Sequence, residues 1–191
     1  MSTAAARPRA SEVLTTGVAI IAVIVAVMWL VEIVDSVLLS DRLQVQFGIL
    51  PRRGSGLDGI AFAPLLHADF PHLIANTVPF LVLGGLVMVR GVKRWLAVTA
   101  MVVGIGGGLT WLLAGNGIHI GASGVVFGYL GYLVATAFFE RRIGPVIPAL
   151  IAVVLYGGAV VGFLPQAGIS WESHLFGAVA GVIAARVLAS R

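Results

Sequence analysis

Ser123, His174, His72 and Asn76 are the residues whose types and positions could do chemistry together. Each lies near the start of an apolar stretch. Polar groups inside such stretches are expensive, so each is a functional candidate by default. A serine hydroxyl becomes a nucleophile when a neighbouring base takes its proton, and His174 is the right type of base. Ser123 stands in Gly121-Ala122-Ser123-Gly124, where its stretch begins. A helix N-terminus there would present unbonded N–H groups and a dipole that favour a developing oxyanion. His72 and Asn76 are four apart, so they share a helix face and could donate to the same oxyanion. Taken alone, Ser123 reads as an ordinary N-cap.

Small-residue spacing adds to the case. Gly121, Gly124, Gly128 and Gly131 recur every three or four residues, and His174 is followed by Gly177 and Gly181. Such stripes let membrane helices touch backbone to backbone. If the two stripes face each other, His174 comes within reach of Ser123. Helix packing around a satisfied polar histidine fits the glycines equally well. A metal site is the competing idea for His67, His72 and His174, but no carboxylate or thiol shares their faces and Asn76 is a poor transition-metal ligand.

The elements that must position these groups are membrane helices. Of 191 residues, 59% are apolar and 10% charged, against roughly 25% charged in a soluble domain. This excludes a soluble globular protein and a disordered chain. The 12 basic residues are too dispersed for a nucleic-acid-binding stripe. Cysteine is absent, which removes disulfides and thiolate chemistry. Six stretches are long enough to span, at about 14–31, 72–89, 95–114, 123–139, 145–164 and 171–188. An N-terminal tail, 1–13, precedes a single six-helix domain, 14–191. Arg7, Arg9, Arg90, Lys93, Arg94, Arg141, Arg142, Arg186 and Arg191 fall on one side, which the positive-inside rule makes cytoplasmic with both termini. Spans two, four and six then descend from outside, with Ser123, His72, Asn76 and His174 at similar depth. The long connection 32–70 contains Pro51, Gly54, Gly56, Gly59 and Pro64, so it is not one straight helix. Leucine at Gly177 should part the fourth and sixth spans, whereas leucine at Ala149, on the fifth, should be far milder.

The pattern His67…His72-Leu73…Asn76, Gly121-Ala122-Ser123-Gly124 and His174…Gly177…Gly181 resembles the rhomboid family of intramembrane serine proteases in order and span assignment. The resemblance runs from about Pro51 to the end. It implies an all-α polytopic membrane protein, a six-transmembrane-helix rhomboid-like bundle with a water-filled cavity opening outward. Ser123 would be the nucleophile and His174 its base, without an aspartate. His72, Asn76 and the Ser123 N–H would form the oxyanion hole, and no cofactor or metal is called for. Single-span transmembrane proteins would be the substrates, cut within or near their transmembrane segment in the lipid bilayer. Composition, with one lysine against 11 arginines and much Ala, Gly and Val, points separately to a bacterial plasma membrane. The fifth helix, about 146–164, and the 165–170 segment would loosen to admit them. Phe127 stands where many relatives have a tyrosine, and it can stack on His174 but not hydrogen-bond. The Trp-Arg pair common in the first external loop is missing, which leaves that loop's anchoring open. His67 matches a loop-stabilising position. His119 has no family role and reads as a solvated loop residue. The sequence does not fix an oligomeric state.

Two other readings stand beside the protease. An inactive rhomboid-like protein would bind membrane clients without cutting them, though such relatives usually lack the Ser or the His. A small transporter would place paired charges or broken helices near the midplane, and neither is visible.

Overall fold

In hydrocarbon an unpaired backbone N–H or C=O costs several kcal/mol, so a spanning segment closes its hydrogen bonds within itself as a helix. The computed structural model describes residues 10–140, 142–166 and 168–189, with side chains from residue 15. Arg7, Arg9, Arg141 and Arg191, and residues 1–9 of the expected tail, lie outside the described residues. Helix α1, Ala10–Val34, starts within the stretch read as tail and continues through a π turn, Asp35–Leu39. Two short helices follow, α2, Arg42–Phe47, and α3, Gly59–Phe62. The second span is α4, Phe70–Met88. The third is α5, Val92–Met101, joined by a π turn, Val102–Gly106, to α6, Gly107–Leu113. Then come α7, Ser123–Glu140, and α8, Ile143–Tyr156, which tightens into a 3-10 turn, Gly157–Phe163. The sixth span is α9, Trp171–Val187.

Five of these segments are long and apolar enough to cross a membrane, namely Thr15–Leu39, Phe70–Met88, Val92–Leu113, Ser123–Glu140 and Ile143–Phe163. At 17 residues α9 is at the short end of that range. It buries one face in the bundle and leaves Leu175, Val179, Val182, Ile183 and Val187 exposed on the other. Its inward face, His174, Gly177, Ala180, Gly181, Ala184 and Ala185, carries nothing larger than alanine beyond the histidine.

The expected 14–31 span runs longer because Asp35 is buried at its end. Its carboxylate accepts the Leu43 and Gln44 N–H groups at 2.9 and 3.3 Å, capping α2 after the left-handed turn at Ser40 and Asp41. The connection to α4 is folded and fastened. Ile49 and His119 exchange both backbone hydrogen bonds at 3.0 Å, which ties this loop to the segment before α7. Arg52 donates to the Ala114 and Leu112 carbonyls at 2.6 and 3.3 Å and to Asn116 Oδ1 at 3.2 Å. The two carbonyls are orphan acceptors at the end of α6. Trp111 Nε1–H returns a bond to the Arg53 carbonyl at 2.9 Å. A tryptophan and an arginine do anchor the loop, then, but the tryptophan comes from the third span.

Helix α7 is the axis of the bundle. Of its apolar stretch 56% is buried within the protein, against 11% for the α8 segment, which faces outward. Its own Tyr129 and Tyr132 are buried in one core with Trp95, Leu73, Leu83 and Val98 from the neighbouring spans. At its far end Glu140 accepts from Arg90 at 2.6 and 2.7 Å and from Arg94 at 3.3 Å. These arginines, read only for orientation, also staple the second and third spans to the fourth.

The glycine seam is present, with two changes. A Cβ at Gly177 would overlap the Gly124 carbonyl oxygen, and one at Gly181 the Gly128 carbonyl oxygen. Gly131 meets the Ala178 carbonyl in the same way. Gly121 is not part of the stripe, because it precedes α7 with a φ of +106°. The seam also has a third member, since a Cβ at Gly106 would lie 3.2 Å from Gly177 Cα. The π turn of the third span thus packs its backbone on α9 at Gly177, while its Val102 side chain lies against Gly128 of α7.

Gly177→Leu should therefore lower the thermal midpoint in detergent, at a cost of about 3 kcal/mol or more for overpacking a site bounded by backbone. Ala149 is a poor control, because it is 7% exposed and not on the outer face of α8. Val154→Leu, at a position 73% exposed, should leave the midpoint nearly unchanged. Equal midpoints for the two variants would mean that the seam does not close.

Candidate active site

Three helix N-termini, those of α4, α7 and α9, open onto one cavity of about 1020 Å3. Its lining includes Ser123, His174, His72, Asn76 and Phe127. Ser123 is the first residue of α7, so its own N–H has no acceptor within the helix. The turn that delivers it needs glycine. Besides the positive φ, a Cβ at Gly121 would fall 2.8 Å from His72 Cε1 and Nε2 and 3.7 Å from Ser123 Oγ. His72 and Ser123 thus flank a single point.

His174 lies one turn into α9, carried there by the seam. Its Nε2 is 2.9 Å from Ser123 Oγ, and its Nδ1 is 2.8 Å from the Gly162 carbonyl oxygen. A carbonyl can only accept, so Nδ1 bears the proton. Nε2 is left as the acceptor for the serine hydroxyl. Phe127 stacks on the imidazole with centroids 4.3 Å apart and planes 14° apart, and Phe163 packs on Phe127 at 4.9 Å.

Helix α4 is started by Asp69, whose carboxylate caps it by accepting the His72 N–H at 2.7 Å, with Pro71 in the first turn. His72 Nδ1 accepts the Ala68 N–H at 3.4 Å, which leaves the proton on Nε2, the edge beside Gly121. Asn76 is buried, and its Nδ2 donates one hydrogen to the His72 carbonyl at 2.9 Å. An amide nitrogen carries a second hydrogen.

His67 is buried outside the cavity. Its Nε2 accepts the Ala122 N–H at 3.5 Å, and its ring meets His72 edge-on at 5.1 Å. It braces the turn before Ser123. His119 departs from expectation. Instead of being solvated it is 7% exposed, with Nδ1 on the Ser170 hydroxyl and Nε2 on the Gly115 carbonyl at 3.2 Å. The cause is its bridge with Ile49, a residue 70 positions away that no local pattern announces. Gly162 was missed too, because its contribution is a backbone carbonyl. Among the described residues no three His, Asp or Glu side chains are arranged to hold a metal ion.

Burial and the nearby His72 push the His67 pKa down from 6.5 to about 4, with the Leu65 carbonyl and Asp69 opposing more weakly. The unfolded chain takes up this proton near 6.5, whereas the folded protein resists until about 4. The contribution is therefore whole above pH 6.5, is lost as pH falls towards 4, and levels off below. It amounts to about 3 kcal/mol at most. The thermal midpoint of the wild type should fall across that window more than that of His67→Gln. Parallel profiles would mean that His67 is not buried neutral.

The chain matches the Rhomboid domain family over residues 56–191. It is 41% identical over 201 residues to an uncharacterised protein of Mycobacterium tuberculosis, covering 96% of this chain and 83% of that one. A Bacillus subtilis protein named rhomboid protease YdcA is 34% identical over 62% of this chain and 61% of its own. RHOMBOID-like protein 5 of Arabidopsis thaliana is 30% identical over 66% of this chain and 42% of its own. With its helical, multi-pass membrane architecture, the chain belongs to the rhomboid family.

Proposed function

We propose that this protein is an intramembrane serine endopeptidase that cuts single-span transmembrane proteins within or near their membrane segment, using Ser123 and His174. The observation that carries this reading is the pair of contacts on His174, Nε2 to Ser123 Oγ at 2.9 Å and Nδ1 to the Gly162 carbonyl at 2.8 Å. Together they select the tautomer a general base requires. Ser123 Oγ attacks the scissile carbonyl carbon as its proton passes to His174 Nε2. The carbonyl oxygen becomes an oxyanion, held by the Ser123 N–H, His72 Nε2–H and the second Asn76 amide hydrogen. The intermediate collapses, the C–N bond breaks, and the imidazolium returns the proton to the leaving amine. Water, activated by the same nitrogen, then hydrolyses the acyl-serine. The cavity is wide enough for water and a peptide segment, and lipid-facing α8 with its 3-10 turn borders it. Arg90, Lys93, Arg94, Arg142 and Arg186 support an orientation with that cavity facing outward and both termini in the cytoplasm of a bacterium.

The purified protein should cleave a transmembrane substrate and label with a fluorophosphonate. Ser123→Ala and His174→Ala should each lose at least about 1,000-fold in kcat without multiplying in the double variant, since they act as one unit. His72→Ala and Asn76→Ala should each lose about 100- to 1,000-fold in kcat, with KM little changed. Client binding with no labelling and no cleavage by the wild type would favour the inactive, client-binding relative.

A further inference from the structure

The stretch before α9 bonds mainly within itself. Gln166 Nε2–H donates to the Val161 carbonyl at 3.0 Å, the Ile169 N–H to Gln166 at 3.2 Å, and the Trp171 N–H to Ile169 at 3.0 Å. Such a segment does little to fix the first turn of the helix that carries His174. The loop between α6 and α7 supplies ties from across the site.

Ser170 precedes α9 at the N-cap position, yet its side chain makes no capping hydrogen bond. A serine there ordinarily accepts from the helix it opens. Here its hydroxyl meets His119 Nδ1. The donor order follows from chemistry. His119 Nε2 faces the Gly115 carbonyl at 3.2 Å, which can only accept, so Nε2 carries the proton. Nδ1 then accepts, and the Ser170 hydroxyl donates. The Ser170 carbonyl in turn accepts the His174 N–H at 3.2 Å. A parallel tie runs from the Gly115 N–H to Glu172 Oε1 at 3.2 Å.

The loop end of this circuit is itself held. Arg52 grips Ala114 and Asn116, and Ile49 grips the His119 backbone. His119 is also four residues from Ser123. One imidazole therefore connects the start of α7, where Ser123 lies, to the start of α9, where His174 lies.

We propose that His119 is a positioning residue which, through Ser170, holds the first turn of α9 so that His174 Nε2 stays within hydrogen-bond reach of Ser123. The inference rests on reading Ser123 and His174 as nucleophile and base. The glycine seam fixes how close the two helices lie. The His119–Ser170 tie fixes the end of α9, where a small tilt would move the imidazole most.

Kinetics on a transmembrane substrate, with fluorophosphonate labelling and thermal midpoint in parallel, test this on the full chain. His119→Ala should lower kcat about 10- to 100-fold with KM within about twofold, since a displacement near 1 Å can cost about 100-fold. Ser170→Ala, which removes one hydroxyl and spares the fold, should lose about 10-fold in kcat. The double variant should be no worse than the poorer single, because both remove one tie. His119→Asn, whose Oδ1 can accept in place of Nδ1, should recover most of the loss. The inference is overturned if either alanine variant of a wild type that labels and cuts keeps full kcat. It also fails if the loss appears in KM, if the two losses multiply, or if Asn rescues nothing. A wild type that neither labels nor cuts would instead sink the protease reading.

Discussion

Gly177 and Gly124 meet backbone to backbone, and the rest of the site depends on that contact. Lipid offers no hydrophobic drive for one apolar helix to leave it for another, so close van der Waals approach has to hold α7 and α9 together. The seam provides it over two turns, with the π turn of the third span also packed on Gly177. Because no side chain intervenes, the separation of the helices is set by backbone radii. That separation places His174 against Ser123. A larger interface residue would have allowed repacking and several spacings.

What the seam cannot set is which nitrogen of His174 faces Ser123. That falls to Gly162, in the 3-10 turn that ends α8. The α8 segment is the one least buried within the protein. The element best placed to move in lipid thus supplies the acceptor that selects the tautomer. If that turn swings aside to admit substrate, His174 loses its Nδ1 partner until the turn, or the substrate backbone, provides another carbonyl. On the proposed reading, substrate entry and base activation would be coupled through the Gly162 carbonyl.

The sequence exposed what is periodic or costly. Six apolar stretches, the glycine stripes and the intramembrane Ser, His and Asn residues each break a strong statistical or energetic rule locally, so each is visible without a structure. What stayed hidden is contact made by ordinary groups across long separations. Gly162 acts through a carbonyl that every residue has. His119 looks like a loop residue until Ile49 pairs with it. Trp111 and Arg52 form an anchor from two different segments, so searching one loop for the pair finds only half. Gly106 lies in a glycine-rich run whose π turn has no clear sequence mark. Gly121 fits the stripe by spacing alone, whereas its positive φ serves the turn before Ser123.

A carboxylate is the usual orienting partner for a histidine base, and its absence here has a physical explanation. Placing an aspartate beside His174 would bury a charge in a low-dielectric interior, at several kcal/mol even after relaxation. A backbone carbonyl fixes the same tautomer without a charge. What it would not do, in the proposed mechanism, is neutralise the imidazolium formed when Ser123 gives up its proton. Phe127 is suited to part of that task. Its face lies parallel to the ring at 4.3 Å, and an aromatic face attracts a cation. In that mechanism the oxyanion beside His72 and Asn76 would supply the rest of the balance, since imidazolium and oxyanion would form together. On the proposed reading, Ser123 and His174 carry no charge at rest and would develop a mutually compensating imidazolium and oxyanion only as the reaction proceeds, which suits chemistry inside a membrane.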